Sequence, residues 1–350
     1  MSDATEECLG DLGERGIQER VLRPRYAGTE GFGDDSALLA SVTTPSELVA
    51  TTDSCPAPVV NLLGEPDLYH SGWLLATINL SDLAAAGAEP LGLVVNYTLP
   101  KGTTVREFER LLDGVDDCCA AHGTKVAGGD IRDGEVVQLT ATAIGRCNPG
   151  SRLRRSGARA GDRLLLVGSP GHLWAAALLK TGQATLPAAE AAELWRRACE
   201  PMAQLKAGQL LATTGFARAA MDVSDGLFAT VRTLCEANGV GAAVSADFRL
   251  DDLVAEVAAQ AKLDPFDLAQ TWGDWGLVVV VREEDARLVT KTLREEGIAA
   301  QEIGTLTADK ELTLGPETAA WRGIAQERFS ASSWHGGEPA TVITDMFKAR

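Results

Sequence analysis

The chain has 350 residues, with 32 Lys+Arg against 49 Asp+Glu and a formal net charge of −17. An apolar share of 45% is too high for a disordered chain, and the length suggests two domains, each burying its own core. The acidic balance argues against nucleic acid as a partner, because the densest basic cluster is only Arg152, Arg154, Arg155 and Arg159. No run approaches the ~18 uninterrupted apolar residues that a membrane helix needs, and the acidic opening does not read as a secretory leader. The seven cysteines show no Cys-x-x-Cys spacing, are odd in number and include the adjacent pair Cys118 and Cys119. They read as small buried hydrophobes in a cytoplasmic protein.

In chain order, the first ~25 residues suggest at most one short helix. Residues 36–41 and 47–52 read as strands, and 72–87 as a long, buried, Ala/Leu-rich helix. A strand over 91–99 follows Glu89-Pro90. A helix over 104–121 places Val105, Phe108, Leu111, Leu112, Val115 and Cys119 on one face, and a strand over 135–145 comes next. The Pro-, Gly- and Arg-rich stretch 147–162 is the linker candidate. Beyond it, strands are expected at 163–168, 217–223, 241–246 and 276–282. Helices are expected near 171–181, 188–199, 202–213, 226–237, 251–261 and 284–296. The pattern is α/β (α+β) in two parts that divide near residue 150.

The common catalytic signatures are missing: there is no P-loop, no Gly-x-Gly-x-x-Gly between strand and helix, no His-Glu-x-x-His and no Gly-x-Ser-x-Gly. The histidines His70, His122, His172 and His335 have no metal-ligand spacing. What recurs is aspartate beside Gly, Ser, Thr or Asn: Gly33-Asp34-Asp35, Thr51-Thr52-Asp53, Asn79-Leu80-Ser81-Asp82, Gly128-Gly129-Asp130 and Asp222-Val223-Ser224-Asp225-Gly226. Any one of them alone reads as a turn or a cap. Asp82 is different, because it sits within an apolar helix and a buried carboxylate needs a partner. In the Asp222–Asp225 segment, Ser224 or Asp225 can cap the following helix, which leaves one carboxylate unexplained. Several carboxylates with few histidines suit a hard cation such as Mg²⁺, which shares its shell with phosphates. The residues therefore point to metal-dependent phosphoryl transfer or to a nucleotide site.

These clusters, in this order, resemble the thiamine-monophosphate kinase family. It belongs to the PurM-type superfamily that also holds aminoimidazole ribonucleotide synthetase, selenophosphate synthetase and the hydrogenase maturation protein that makes cyanide ligands. The matching stretches are GFGDDSALL (31–39), TTD (51–53), NLSDLAAAGAEPLG (79–92), GGD (128–130), RSGARAGD (155–162) and AMDVSDGL (220–227). The resemblance implies an N-terminal extension (1–27), a sheet domain that binds ATP and metal and forms a homodimer (28–148), a C-terminal α/β domain (149–340) and a tail (341–350). It also implies ATP held without a P-loop through Mg²⁺. Metal ligation falls on Asp35, Thr51, Thr52, Asp53, Asp82, Asp130, Asp222 and Asp225, and nucleotide contacts on Gly129, Asp130, Arg155 and Ser224. Asp82, Asp130, Asp222 and Arg155 are the implied catalytic positions, with direct transfer of the γ-phosphoryl group to a small-molecule acceptor.

The chain departs from the family on the acceptor side. Val60, followed by Asn61, stands where the family has a substrate-contacting histidine. Thr271-Trp272-Gly273-Asp274-Trp275-Gly276 stands for Gly-Gly-Glu-Asp-Tyr-Glu, so Gly273 replaces the glutamate that contacts thiamine. Trp334-His335 matches a C-terminal aromatic-Asp-His segment only loosely. Val60, Asn61, Trp272, Gly273, Asp274, Trp275 and Trp334 are therefore the expected acceptor pocket, either as an aromatic wall or as core packing. Three readings stand: a phosphotransferase with thiamine monophosphate or another small acceptor, an enzyme that activates an amide, carbamoyl or carboxylate oxygen, and a catalytically silent nucleotide-binding dimer.

Overall fold

The computed structural model describes residues 7–28, 44–315 and 319–321. The expected strand at 36–41 lies outside them. The described chain opens with α1 (Leu9–Ile17), a π-helical turn (Gln18–Leu22) and α2 (Arg23–Tyr26), a longer helical run than the sequence suggests. Gly13 breaks it with a φ of 64°.

The first domain then adds β1 (Glu47–Ser54), α3 (Val60–Leu63), α4 (Leu68–Ala86), β2 (Glu89–Leu99), α5 (Val105–Ala121), β3 (Val126–Asp133) and β4 (Gln138–Cys147). Its sheet has the order β1-β4-β2-β3, antiparallel except for the parallel β2–β3 pair. Strand β3, which carries Gly128-Gly129-Asp130, is not apparent in the sequence because a Gly-Gly-Asp run reads as a turn. It exists as an edge strand whose Gly129 lets β2 come close: a Cβ there would lie 2.0 Å from the Val95 carbonyl oxygen.

The second domain contains β5 (Arg163–Val167), α6 (His172–Lys180), α7 (Ala188–Cys199), α8 (Leu205–Thr214), β6 (Ala217–Asp222) and α9 (Leu227–Asn238). It continues with β7 (Gly241–Val244), α10 (Asp252–Ala261), α11 (Pro265–Ala269), β8 (Leu277–Val281), α12 (Glu283–Glu295), β9 (Ala300–Thr307), β10 (Leu312–Leu314) and β11 (Ala319–Ala320). The sheet order is β11-β10-β7-β9-β5-β8-β6. Strand β9 is another element the sequence hides, since Gln301, Glu302 and Gly304 dilute its alternation, and the short α3 and α11 are not apparent in the sequence either. The β8 run LVVVV is buried on both faces. Leu277, Val279 and Val281 pack into a core shared with the first domain, and Val278 and Val280 into a second core under α9.

Helix α4 is the axis of the molecule. Its apolar residues run around the whole circumference, which fits a helix covered on every side. Two glycines let α5 press onto it: a Cβ at Gly72 would stand 2.1 Å from the Leu111 carbonyl oxygen, and one at Gly114 would stand 2.0 Å from that of Tyr69. On another side α8 from the second domain does the same, because a Cβ at Gly208 would lie 2.0 Å from the Ala84 carbonyl oxygen. The Trp73 indole N–H and the Thr77 hydroxyl both donate to the Pro201 carbonyl at 2.9 Å. Helix α5 has the stripe read from the sequence, with Phe108, Leu111, Leu112, Val115 and Cys119 buried and Val105 half-buried, and a Thr104–Glu107 capping box at its start.

Gly114→Ala should lower stability by ~1–3 kcal/mol or more, because backbone faces the added methyl and cannot yield. Gly102→Ala, where nothing lies within 4 Å, is the control and should be nearly neutral. Thermal unfolding of the two variants checks this, and equal melting temperatures would contradict the tight α4–α5 crossing.

Candidate functional site

Strand β1 alternates, so Thr51 and Asp53 face α4 while Thr52 faces away. The Thr51 hydroxyl donates to Asp82 Oδ2, and the Asp53 backbone N–H donates to Asn79 Oδ1 at 3.1 Å. Asn79 is fully buried, and its amide also donates to the Leu75 carbonyl at 2.9 Å. One turn of α4 therefore fixes β1 twice. The Thr52 hydroxyl is committed elsewhere, to the Ala141 carbonyl at 2.9 Å, so its side chain does not join the Thr51–Asp53 face.

Asp82 itself is half-buried; the deeply buried carboxylate is Asp222 at the end of β6, only 3% exposed. Ser81, the neighbour of Asp82 on α4, donates to Asp222 Oδ2 at 3.2 Å and so ties the two domains together at the site. Burial, and next the negative charge of Asp82, push the Asp222 carboxyl up to about 7, while Ser81 and the positive charge of Arg155 pull the other way. Ser224 and Asp225 follow in the β6–α9 turn. Neither caps α9, contrary to the sequence expectation: the N-cap is Gly226, with a φ of 92° and no side-chain cap bond.

Asp53, Asp82, Asp222, Ser224 and Asp225 line one cavity of about 330 Å³. Among the described residues no three His, Cys, Asp or Glu side chains converge closely enough to hold a metal ion unaided. The donors are nevertheless all oxygens, and the repulsion between Asp82 and Asp222 is what a divalent cation relieves. This set fits Mg²⁺ whose shell is completed by phosphate and water better than it fits an all-protein cage.

The lining also has an apolar part that includes Val60, Leu173, Trp272, Gly273 and Trp275. Trp272 packs edge-on against Trp174 at 5.2 Å between ring centroids. Two of the expected acceptor residues are not in the lining. Asn61 instead organises the loop before α4, donating to the Asp67 carbonyl at 3.1 Å and accepting from His70 Nδ1 at 2.8 Å. Asp274 is consumed by α6, where it accepts from the backbone N–H groups of Gly171 (2.6 Å) and Leu173 (3.3 Å). It caps a helix a hundred residues away in sequence, which no local pattern reveals. Asp130 is exposed, near Asn96, and lines a separate hollow with Leu9 and Lys101. Arg155 is exposed outside the lining, though its charge is felt at Asp222. Asp35 and Trp334 lie outside the described residues. Conversely, His70, Cys55, Cys199 and Pro201 line the cavity with no sequence signal to mark them.

Two family models match the chain: the AIR synthase related protein N-terminal domain over residues 33–147 and the C-terminal domain over 159–316. Fold and site thus define a two-domain protein of the AIR-synthase-related class. At 30% identity, 87% of the chain aligns with 91% of a thiamine-monophosphate kinase from Synechococcus elongatus. The crystal structure of thiamine-monophosphate kinase from Stenotrophomonas maltophilia superposes with a TM-score of 0.73 at 27% identity, covering 88% of this chain and 98% of that one. AaThiL, solved in complex with AMPPCP and TMP, shares the fold with a TM-score of 0.70 at 22% identity, covering 93% of this chain and all of that one. The chain belongs to the thiamine-monophosphate kinase family.

The position of Asp222 has a consequence for stability. Its carboxyl is raised in the folded state, so the stabilisation is present below the unfolded value near 3.8 and is lost as pH rises toward about 7. In chelator, the wild-type melting temperature should fall between pH 4 and 7, and Asp222→Asn should flatten that fall. Parallel pH profiles for the two proteins would contradict the buried repulsion.

Proposed function

We propose that this chain is an ATP- and Mg²⁺-dependent phosphotransferase that moves the γ-phosphoryl group of ATP directly onto a small anionic acceptor, giving ADP and a phosphorylated product. The observation that carries this is that aspartates from β1, α4, β6 and the β6–α9 turn line the same cavity as a set of aromatic and apolar residues. Asp53, Asp82, Asp222 and Asp225 would hold Mg²⁺, with Thr51 supporting Asp82 and with Asp35 and Asp130 added by family resemblance. Bound Mg²⁺ supplies neutralisation of the charge that spreads over the transferring group.

The chain's own part is positioning. Asn79 and Ser81 fix β1 and Asp222 against α4, and the exposed Arg155 is suited to phosphate oxygens. Direct transfer agrees with the thiols in the cavity. Burial pushes the Cys55 thiol up, and it pushes Cys199 up to about 12, so neither is a ready nucleophile.

The acceptor in this reading differs from thiamine monophosphate. Val60 is 3% exposed and apolar, and Gly273 disfavours a side chain, because its φ is 105° and a Cβ would meet the Leu173 Cδ2 methyl at 2.3 Å. A pocket without the family's two polar handles favours a ligand that does not need them. We also assign dimerisation to the open face of the first sheet, where Leu48 (63% exposed), Val94 and Ile144 point away from α4 and α5.

ADP release should require Mg²⁺ and an acceptor, with thiamine monophosphate slower than the best member of an acceptor panel followed by phosphorus NMR. Asp82→Asn should cut turnover by about a hundredfold or more with the circular dichroism spectrum unchanged. Full-rate thiamine diphosphate formation would refute the altered acceptor, and full activity in Asp82→Asn would refute the metal assignment. Ile144→Arg should shift the mass measured by light scattering from dimer to monomer; an unchanged mass would exclude this sheet face.

A further inference from the structure

Trp275 stands out on two counts. It adopts a φ of 52°, a left-handed conformation that costs an aromatic residue of order 1–3 kcal/mol. Its indole N–H is buried and has no hydrogen-bond partner among the described residues, which costs a further ~1–3 kcal/mol. Neither cost is needed to close the fold, since glycine would adopt this φ without strain and phenylalanine would bury no donor.

The neighbours hold the strain in place. On one side Asp274 is tied to Gly171 and Leu173 at the start of α6. On the other the Gly276 carbonyl accepts from the Val223 N–H at 2.8 Å, and a Cβ at Gly276 would lie 2.7 Å from the Val167 carbonyl oxygen. Trp275 is clamped between two fixed residues and set in the same cavity lining as Trp272, Gly273 and the aspartates. A backbone over-determined on both sides, at a residue that lines a ligand-sized cavity and holds an unsatisfied donor just beneath it, is the pattern of a recognition residue.

We propose that Trp275 is a specificity-determining residue: its indole N–H, after a small rotation of the ring, donates to a hydrogen-bond acceptor on a planar, otherwise apolar moiety of the phosphoryl acceptor. This rests on the phosphotransferase reading for the anionic group but not for the ring. The substrate class is an aromatic or heteroaromatic ring with a carbonyl oxygen or unprotonated ring nitrogen at its edge, linked to a phosphate or similar anion. A ring without such an atom leaves the N–H unpaired, and that is what a polar handle discriminates against.

Two isosteric probes isolate this: pyridin-3-ylmethyl phosphate and benzyl phosphate, titrated by calorimetry into full-length protein with Mg²⁺ and AMPPCP. Wild type should bind the pyridyl probe about tenfold or more tightly than the benzyl one. Trp275→Phe should bring the ratio near one. Of the seven indole N–H resonances expected from the seven tryptophans, the one absent in Trp275→Phe should move downfield with the pyridyl probe only. Equal wild-type affinities, a preference that survives in Trp275→Phe, or failure of both probes to bind would each overturn the proposal. Mg²⁺-dependent AMPPCP binding, measured first, separates this from the phosphotransferase reading: its absence would sink that reading whatever the ring preference.

Discussion

The close approach of α5 and α8 to α4 is the constraint on which the rest depends. Contacts at Gly72, Gly114 and Gly208 bring helix backbones within reach of one another, and only residues without a Cβ permit it. That packing sets the height and rotation of α4. Height and rotation in turn decide that Asn79 and Asp82 meet β1 while Ser81 meets β6. A slip of one residue along the helix would turn these side chains by about 100° and separate the two halves of the site.

The electrostatics follow from that geometry. Asp222 is buried beside another carboxylate with one hydroxyl for support, an arrangement that folding alone does not favour. It becomes reasonable once a cation and phosphates belong to the site. Part of the −17 is therefore buried charge, since Asp162, Asp222 and Asp267 are all under a tenth exposed.

Much of this was legible in the sequence, for identifiable reasons. Helices α4 and α5, β1, β2 and the buried β8 carry strong periodicity or long apolar runs. The aspartate clusters were legible because carboxylates beside small residues at strand ends have few other uses in combination. Strands β3 and β9 were hidden by glycine and by charged residues on a half-buried face. Thr52 shows a reading that alternation could have sharpened, since it must oppose Thr51 and Asp53. Asp274 and His70 show what no local pattern carries: one caps a distant helix, the other meets the cavity only because α4 begins where it does.

The shared core also bears on how the molecule comes apart. Leu75, Leu80 and Leu83 of α4 lie in the same apolar cluster as Leu211 of α8 and Val279 of β8. Two sheets and a linker describe two domains by shape, yet the first domain's interior is completed by residues of the second. Cutting the chain within residues 148–162 and removing the second part would leave the α8-facing side of α4 uncovered. The largest apolar cluster thus crosses the boundary between the two parts, while a second cluster under α9 belongs to the C-terminal part alone.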